Sequence, residues 1–231
     1  MKYTKITLNF KYGPKDRFYR VVLVKNNPNL LKLGVEFATV LGTELEHCFL
    51  FTCDNNISYV MAPFMEMPIG CYKYLAKYYL KDLPQNFCFE YDTGDGWDFD
   101  CTIDETMELD REEDIILLEG KGQGVWEDNI STLYALFEGR ISPTARKERP
   151  EEGIYKPWNH EIYQFGDFDK KLDIKYINIF LNKLSKRNYR RIREAENDYI
   201  YEYELDLDDA YEPEHLSFRK YLKEKEENNI K

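Results

Sequence analysis

The sequence predicts an α+β fold with an antiparallel or mixed sheet, a β-grasp-like N-terminal part, a further hairpin and packed helices. Residues 4–10 and 17–24 carry strand-like patterns, and the turn residues between them indicate a hairpin. Residues 27–42 instead repeat apolar side chains at helical spacing. Aromatic residues make up 16% of the chain, with 19 Tyr, and tyrosine suits half-buried strand surfaces.

The N-terminal third is predicted to run strand–strand–helix–strand–strand, the order found in β-grasp-like domains. Asn27 is predicted to cap the helix, with Pro28 at its first position and Gly42 just past its end. Two short strands follow over 46–53 and 57–62. Because unrelated proteins share this order, it indicates a fold and no activity.

The middle of the chain is predicted to contain a helix and a second hairpin. The helix covers 69–82, and Pro84 ends it. The hairpin pairs 87–92 with 97–104, and an extended segment over 114–124 follows it.

The C-terminal part is predicted to begin with helices over 126–139 and 174–184. Residues 185–231 are predicted to be a charged extension made of a basic helix, an acidic strand and a helical tail. The strand prediction rests on period-two alternation of Tyr and Leu with acidic residues between 201 and 208.

The composition limits the expected cellular location of the protein and the classes of partner that it can bind. A net charge of −11 argues against a dominant nucleic-acid or membrane surface. The start of the chain does not resemble a signal peptide, and no apolar run approaches the roughly 20 residues of a transmembrane helix. The five cysteines lack CxxC spacing, so we expect free thiols, no zinc site and a cytoplasmic location.

The segment FEYDTGDGWDFD, residues 89–100, concentrates five carboxylates in twelve residues. An EF-hand register with Gly96 at its sixth position puts Tyr91 first and Thr102 twelfth, where a bidentate Glu is required. The glycine-rich run at 119–124 has neither a GK[ST] motif nor GxGxxG spacing. The sequence therefore predicts no metal site and no cofactor.

Local turn chemistry is the simpler interpretation of the same segment. Asp92 and Asp95 flank Gly94, and their side-chain oxygens can accept backbone N–H groups of a hairpin turn. Trp97 is predicted to pack into the core. His47 lies inside a predicted strand and is expected to be a core or edge histidine.

Several blocks of sequence carry a resemblance to a known family, among them YTKITLNF with RFYRVVLV, the helical segment 27–42 with EHCFLF, and FGDFDKKLDIKYINIFL. The segment FEYDTGDGWDF follows the family's Tyr-Asp-Phe-Gly-Asp-x-Trp signature, with matches at Tyr91, Asp92, Gly94, Asp95 and Trp97. The segment LLEGKGQGVWED is similar to its Pro-Pro-Glu-Asp block, with Glu127 and Asp128 in register. His47 stands at the position of the family histidine.

These residues resemble the plasmid pRiA4b ORF-3-like family, which includes TnpR-type passenger proteins of insertion elements. The resemblance covers about residues 3–184, and it implies that residues 1–184 form a single domain. Thr93 replaces the signature's aromatic residue, and Val125 and Trp126 replace its two prolines. The resemblance implies a compact α+β domain, often carried on mobile or plasmid DNA, and it implies no established reaction. No catalytic residue can therefore be carried over.

The first functional hypothesis is a non-enzymatic accessory protein of a mobile element or defence-related locus that binds a protein partner. Asp92 and Asp95 would hold the turn, and Glu127 and Asp128 would cap the helix at 129–139. An acidic, nucleic-acid-mimicking surface would contact the partner. Its candidate residues are Glu202, Glu204, Asp206, Asp208 and Asp209.

Two alternatives stay open. A metal-dependent hydrolase or nuclease would gather Asp92, Asp95, Glu127 and Asp128 around a divalent ion in one cleft. Direct nucleic-acid binding would use the six basic residues of KLSKRNYRRIR, residues 183–193.

Overall fold

The computed structural model describes residues 1–14, 16–53, 57–65, 71–122, 124–140, 171–205 and 207. Over these residues the chain forms an α+β fold with eight strands and three α-helices. The strands are β1 (Lys2–Phe10), β2 (Tyr19–Lys25), β3 (Phe49–Thr52), β4 (Ile57–Val60), β5 (Cys71–Tyr74), β6 (Asn86–Tyr91), β7 (Trp97–Glu108) and β8 (Ile115–Lys121). The helices are α1 (Leu30–Leu41), α2 (Ile130–Phe137) and α3 (Ile174–Glu202). None of the described helices is both long and apolar enough to cross a bilayer.

The described strands form one mixed sheet in the order β5-β4-β3-β6-β7-β1-β2-β8. Neighbours are antiparallel except β4 and β5, which run parallel. The predicted hairpins β1–β2 and β6–β7 are confirmed, and so is the ββαββ order of the N-terminal part. In β1 the alternating residues Ile6, Leu8 and Phe10 are buried, because successive side chains point to opposite sheet faces.

Helix α1 lies inside the core. Eleven of its twelve residues are buried, and a helix that is apolar on all sides needs cover on all sides. The sheet covers one side: a Cβ atom added at Gly34 would lie 2.0 Å from the Phe49 ring. Helix α3 covers another, where Asn188 Nδ2 donates to Thr39 Oγ1 at 3.0 Å. The fold is therefore layered as sheet, α1 and α3.

The caps of α1 follow local chemistry, with one correction. Gly42 ends the helix in the left-handed conformation, as predicted, with φ 78°. The N-cap is Asn29, whose Oδ1 accepts from Lys32 N at 2.8 Å, so the prediction of Asn27 was wrong. Asn27 Oδ1 is instead engaged by Lys81 N at 2.8 Å. A tertiary contact with the segment after β5 therefore moves the helix start by two residues.

The helix predicted over 69–82 does not form. The described part of this segment contains β5 and two short 3-10 turns, Leu75–Lys77 and Leu80–Asp82. Pairing with β4 decides the outcome, because β4 is short and would otherwise leave its outer edge open. The tyrosine-rich composition of the segment also suits a strand. Apolar spacing alone did not distinguish the two states over so short a run.

Helix α3 is much longer than predicted. It begins after the predicted cap Asp173, whose Oδ1 accepts from Tyr176 N at 2.9 Å, and it continues for 29 residues. The boundary predicted at residue 184 therefore falls within the helix. Beyond it, a buried face with Asn188 and Ile192 packs onto the domain, and this tertiary packing extends the helix.

The acidic strand predicted after α3 is wrong where the structure describes it. Tyr201 and Glu202 are helical, and the rings of Tyr199 and Tyr203 stack with centroids 4.4 Å apart along the helix. Residues at i and i+4 meet on a helix but not on a strand, so this tyrosine pair favours the helix. The predicted helical tail lies outside the described residues.

Two asparagines of α3 cover the outer edge of β8. Asn178 Oδ1 accepts from Leu117 N and its Nδ2 donates to Leu117 O, both at 2.8 Å. Asn182 makes the equivalent pair with Ile115, and its Oδ1 also accepts from Asp114 N at 2.6 Å. The two asparagines are four residues apart on the helix, and their separation along its axis matches the distance between residues two apart on a strand. The amides thus take the place of a ninth strand and satisfy an edge that could otherwise pair with another chain.

We predict that Asn182→Ala lowers the free energy of unfolding by about 2 kcal/mol, because the strand edge loses partners for two N–H groups and one carbonyl. Urea denaturation followed by circular dichroism measures the change. Lys175→Ala, at an exposed position of the same helix, is the matched control and should stay within about 0.5 kcal/mol of the wild type. Equal stabilities of the two variants would contradict the edge-covering role.

Glu36 is an ionisable residue inside this core. It is 1% exposed, and neither carboxylate oxygen has a hydrogen-bond partner among the described residues. Burial raises the pKa of Glu36 to about 8, although Lys32 Nζ, 3.8 Å away, favours the charged form. The folded state therefore holds a proton on Glu36 that the unfolded chain releases.

We predict that the free energy of unfolding falls as the pH rises from about 4.5 to about 8, because the unfolded state binds fewer protons than the folded state in that range. Glu36→Gln should flatten this dependence by up to about 1.4 kcal/mol per pH unit. Denaturation curves across this pH range test it. The exposed Glu112→Gln is the control, and a pH profile of Glu36→Gln parallel to that of Glu112→Gln would contradict the prediction.

Candidate functional site

Three loops bring a histidine and three carboxylates together. His47 follows α1, Asp92 begins the β6–β7 turn, and Glu127 and Asp128 precede α2. One ligand-type atom from each of His47, Asp92 and Glu127 lies within 4.8 Å of the others. His47 Nδ1 is 3.6 Å from Asp92 Oδ1, whereas Nε2 is 3.7 Å from Glu127 Oε2 and 3.4 Å from Asp128 Oδ1.

The cluster has a buried floor and an open rim. The side chains of Asp92 and Glu127 are 6% and 10% exposed. His47 is 31% exposed and Asp128 is 79% exposed. Solvent therefore reaches the cluster from the side of His47 and Asp128, while the two inner carboxylates are held in the protein.

The β6–β7 turn positions Asp92. Its Oδ1 accepts from Gly94 N at 3.2 Å and from Asp95 N at 3.3 Å, which is the turn-holding role predicted for this residue. Its N–H donates to Cys48 O at 3.0 Å, which ties the turn to the residue after His47. Asp92 has φ 53°, a left-handed conformation that aspartate tolerates better than most residues.

Hydrogen bonds from two other segments position Glu127. Its Oε1 accepts from the Tyr91 hydroxyl at 2.8 Å and from Glu44 N at 2.6 Å. Burial raises the pKa of Glu127 to about 7, and the two donors act against that rise. Tyr91 is fully buried, and burial together with the charge of Glu127 holds the pKa of its phenol well above the usual value. The phenol is therefore a donor at neutral pH.

The glycine-rich loop after β8 carries the chain to Glu127. The carbonyls of Lys121 and Gly122 accept from the buried guanidinium of Arg20, and Val125 N donates to Leu41 O at 2.9 Å. The loop thus turns its carbonyls towards a cation inside the protein. A phosphate-binding loop would instead direct its N–H groups at a ligand, and this agrees with the missing nucleotide motif.

Two carboxylate oxygens at the cluster have no hydrogen-bond donor among the described residues. They are Asp92 Oδ2 and Glu127 Oε2, and both are buried. Buried carboxylate oxygens normally accept hydrogen bonds or coordinate a cation, because an unpaired buried charge is costly. The cluster therefore contains two unsatisfied acceptors, and one of them, Glu127 Oε2, lies 3.7 Å from His47 Nε2.

The structure separates Asp95 from the other predicted site residues. Asp95 Oδ2 accepts from Ile130 N at 3.1 Å, so Asp95 caps α2. The predicted capping of this helix by Glu127 and Asp128 was therefore wrong. Of the four acids proposed to surround an ion, Asp92, Glu127 and Asp128 converge and Asp95 does not. The physical reason is that the Asp95 carboxylate is held by the backbone at the start of α2.

The remaining predicted residues fall into two groups. Trp97 and Tyr91 are buried in the core, and Gly94 lies in the turn beside Asp92. Glu202 and Glu204 are exposed at the end of α3. Asp206, Asp208 and Asp209 lie outside the described residues. The protein-partner hypothesis built on these acids stays a prediction.

Sequence reasoning missed the placement of His47 beside the acids. The expectation of a core or edge histidine came from its predicted strand, but β3 begins only at Phe49, so His47 lies in the preceding loop. The resemblance contained the available signal, since His47, Asp92, Glu127 and Asp128 all matched the family's blocks. No ligand spacing revealed it, because the three loops are distant in sequence.

We predict that Tyr91→Phe lowers the free energy of unfolding by about 1–2 kcal/mol, because Glu127 loses a buried donor. Chemical denaturation at pH 8, above the pKa of Glu127, measures the loss. Tyr12→Phe removes the exposed hydroxyl that donates to Asp98 Oδ2 at 2.6 Å and is the matched control, expected to cost less than about 0.5 kcal/mol. A cost for Tyr91→Phe no larger than that of Tyr12→Phe would show that the bond is not stabilising.

Comparisons with known proteins place the chain in a family. The family described as "Plasmid pRiA4b ORF-3-like protein" matches residues 3–173. A crystal structure of a protein of unknown function from Methanosarcina mazei Go1 shares the fold, with a TM-score of 0.51 and 19% sequence identity, over 68% of this chain and 96% of that one. A search of curated proteins gives no match. The chain belongs to the plasmid pRiA4b ORF-3-like family.

Proposed function

We propose that the protein binds a divalent metal ion at His47, Asp92 and Glu127 and uses it to activate water for hydrolysis. The observation that carries the proposal is the convergence of one ligand-type atom from each of these three residues, all within 4.8 Å of one another. Two buried carboxylate oxygens of the same residues, Asp92 Oδ2 and Glu127 Oε2, lack donors within the described residues, and a cation bound by the cluster would offset the cost of these buried acceptors.

The distances suit a metal. Two ligands about 2.1 Å from a tetrahedral zinc ion lie about 3.4 Å apart. His47 Nε2 is 3.7 Å from Glu127 Oε2 and 3.4 Å from Asp128 Oδ1, whereas Asp92 Oδ1 is 3.6 Å from the other ring nitrogen, Nδ1. These separations are longer than a typical hydrogen bond and close to the distance between two ligands of one zinc ion.

The ligand types indicate which ions fit. One imidazole and two or three carboxylates suit Zn²⁺ or Mn²⁺, whereas a calcium site would use oxygen ligands alone. The neighbouring Cys48 is not part of the group of ligand-type atoms that converges within the described residues. Zn²⁺ and Mn²⁺ are therefore the ions to test.

The open rim supports a catalytic rather than a structural site. Structural zinc sites are closed by four protein ligands, whereas catalytic sites keep a position for water. Here the third carboxylate, Asp128, is largely in solvent, so water and a substrate can approach beside His47. His47, Asp92 and Glu127 would hold the ion, which would lower the pKa of a bound water and so supply a nucleophile for ester hydrolysis at neutral pH.

We predict that the protein binds Zn²⁺ or Mn²⁺ in calorimetric titration, and that His47→Ala and Asp92→Asn each weaken binding at least about tenfold. Asn at position 92 keeps an oxygen for the turn and tolerates the left-handed backbone, so this variant should fold. Asp100→Asn, an exposed carboxylate of β7, makes the same charge change on the same hairpin and should bind as the wild type does. Equal affinities of His47→Ala and Asp100→Asn would overturn the metal site.

Activity is tested separately with a chromogenic phosphodiester. We expect turnover that a chelator abolishes, that Zn²⁺ or Mn²⁺ restores, and that His47→Ala lacks. Metal binding without metal-dependent turnover of this probe would count against the hydrolytic role and leave metal binding intact.

A further inference from the structure

Helix α3 separates its charges along its length. Between residues 174 and 193 it contains no Asp or Glu, and after residue 193 it contains no Lys or Arg. The basic residues of the first part are Lys175, Lys183, Lys186, Arg187, Arg190, Arg191 and Arg193. The basic and acidic segments follow each other along one continuous helix, so only residues near position 193 are close to both.

Helix stability does not explain this order of charges. The helix dipole favours acidic residues in the first turn and basic residues in the last turn. In α3 the acids Glu194, Asp198 and Glu202 lie towards the C-terminal end instead. Of these acids only Glu202 lies in the last turn, and the basic residues between 183 and 193 lie in the middle of the helix, so the dipole does not account for their position.

The basic residues form a stripe on the outer face of α3. Lys183, Lys186, Arg187, Arg190 and Arg193 recur at helical spacing and are exposed. We call these five residues the basic stripe. The opposite face, which includes Leu181 and Asn188, is buried against the domain. From Lys183 to Arg193 the stripe spans roughly 15 Å along a rigid element.

Part of the basic stripe is not neutralised by neighbouring acids. Lys183 and Arg190 form no ion pair with any described residue, and Lys186 Nζ is 3.8 Å from Asp114 Oδ2, at the limit of an ion pair. Side chains of this kind keep their charge available for a partner in solution.

Arg191 connects α3 to the candidate metal site. Its Nη2 donates to Glu44 O at 2.9 Å and to Leu45 O at 3.2 Å. Glu44 N in turn donates to Glu127 Oε1 at 2.6 Å. His47 follows Glu44 by three residues, so their Cα atoms are at most about 11 Å apart. The basic stripe and the site therefore lie on neighbouring surfaces.

We infer that the basic stripe of α3 binds the phosphodiester backbone of a nucleic acid and leads it towards the site at His47, Asp92 and Glu127. Phosphates repeat about every 3.4 Å along a strand of DNA, and a row of cations over about 15 Å fits several of them. The net charge of −11 disfavours nucleic-acid binding by the protein surface in general, and contacts to phosphates make binding by the stripe sensitive to salt. Nucleic-acid binding by the basic stripe does not depend on the metal site. Delivery of the nucleic acid to that site rests on the proposed function.

The test is fluorescence polarisation with labelled single-stranded DNA of about 20 nucleotides, in EDTA and over a series of salt concentrations. We expect binding that weakens steeply with salt, and a loss of about tenfold in Lys183→Gln/Arg190→Gln at the lowest salt. The slope of log K against log salt should fall by about 1.4 in that variant, because two phosphate contacts are lost.

Lys81→Gln/Lys121→Gln is the matched control, because it makes the same change in net charge at exposed lysines outside α3. It should bind DNA within about twofold of the wild type. Equal weakening by both double variants, no binding by the wild type at low salt, or stronger retention on acidic peptides than on DNA would overturn the inference. Since EDTA removes metal, a failed metal site leaves this result unchanged, and His47→Ala should bind DNA as the wild type does.

Discussion

A buried guanidinium ties together the segments on which the site depends. Arg20, on β2, is fully buried and donates to four backbone carbonyls: Val40 O, Tyr19 O, Lys121 O and Gly122 O. Burial lowers its pKa to about 9, so it remains charged at neutral pH. It joins the sheet, the end of α1 and the loop after β8, and that loop continues to Glu127. A neutral side chain of similar size would leave these carbonyls without donors.

The loops around the cluster share a backbone feature. Leu45, Asp92 and Asp128 all have left-handed φ values, 56°, 53° and 54°, and one lies in each of the three converging loops. Such conformations cost energy in residues other than glycine, most of all at a leucine. They persist because hydrogen bonds fix the loops, including Arg191 to Leu45 O and Asp92 N to Cys48 O. Hydrogen bonds of the folded state thus offset the backbone strain and hold the cluster in place.

The layering of sheet, α1 and α3 explains why one face of α3 is buried and the other is exposed to solvent. Because α1 is covered on both sides, α3 lies outermost and presents its polar face to solvent. The same helix covers the β8 edge with Asn178 and Asn182, packs Asn188 on α1 and reaches the site loop through Arg191. One element therefore performs structural tasks along its inner face and leaves its outer face available for binding.

The sequence alone determined features that short-range physics controls. Alternating strands, the turn held by Asp92, the stop at Gly42 and the cap at Asp173 depend on neighbours within a few residues, and all four are present. Only the tertiary structure decided the rest. Cys71–Tyr74 pairs with β4 because an open edge was available there, and α3 continues past residue 184 because the domain covers one of its faces. His47, Asp92 and Glu127 meet because three loops distant in sequence are held by long-range hydrogen bonds, which no local pattern encodes.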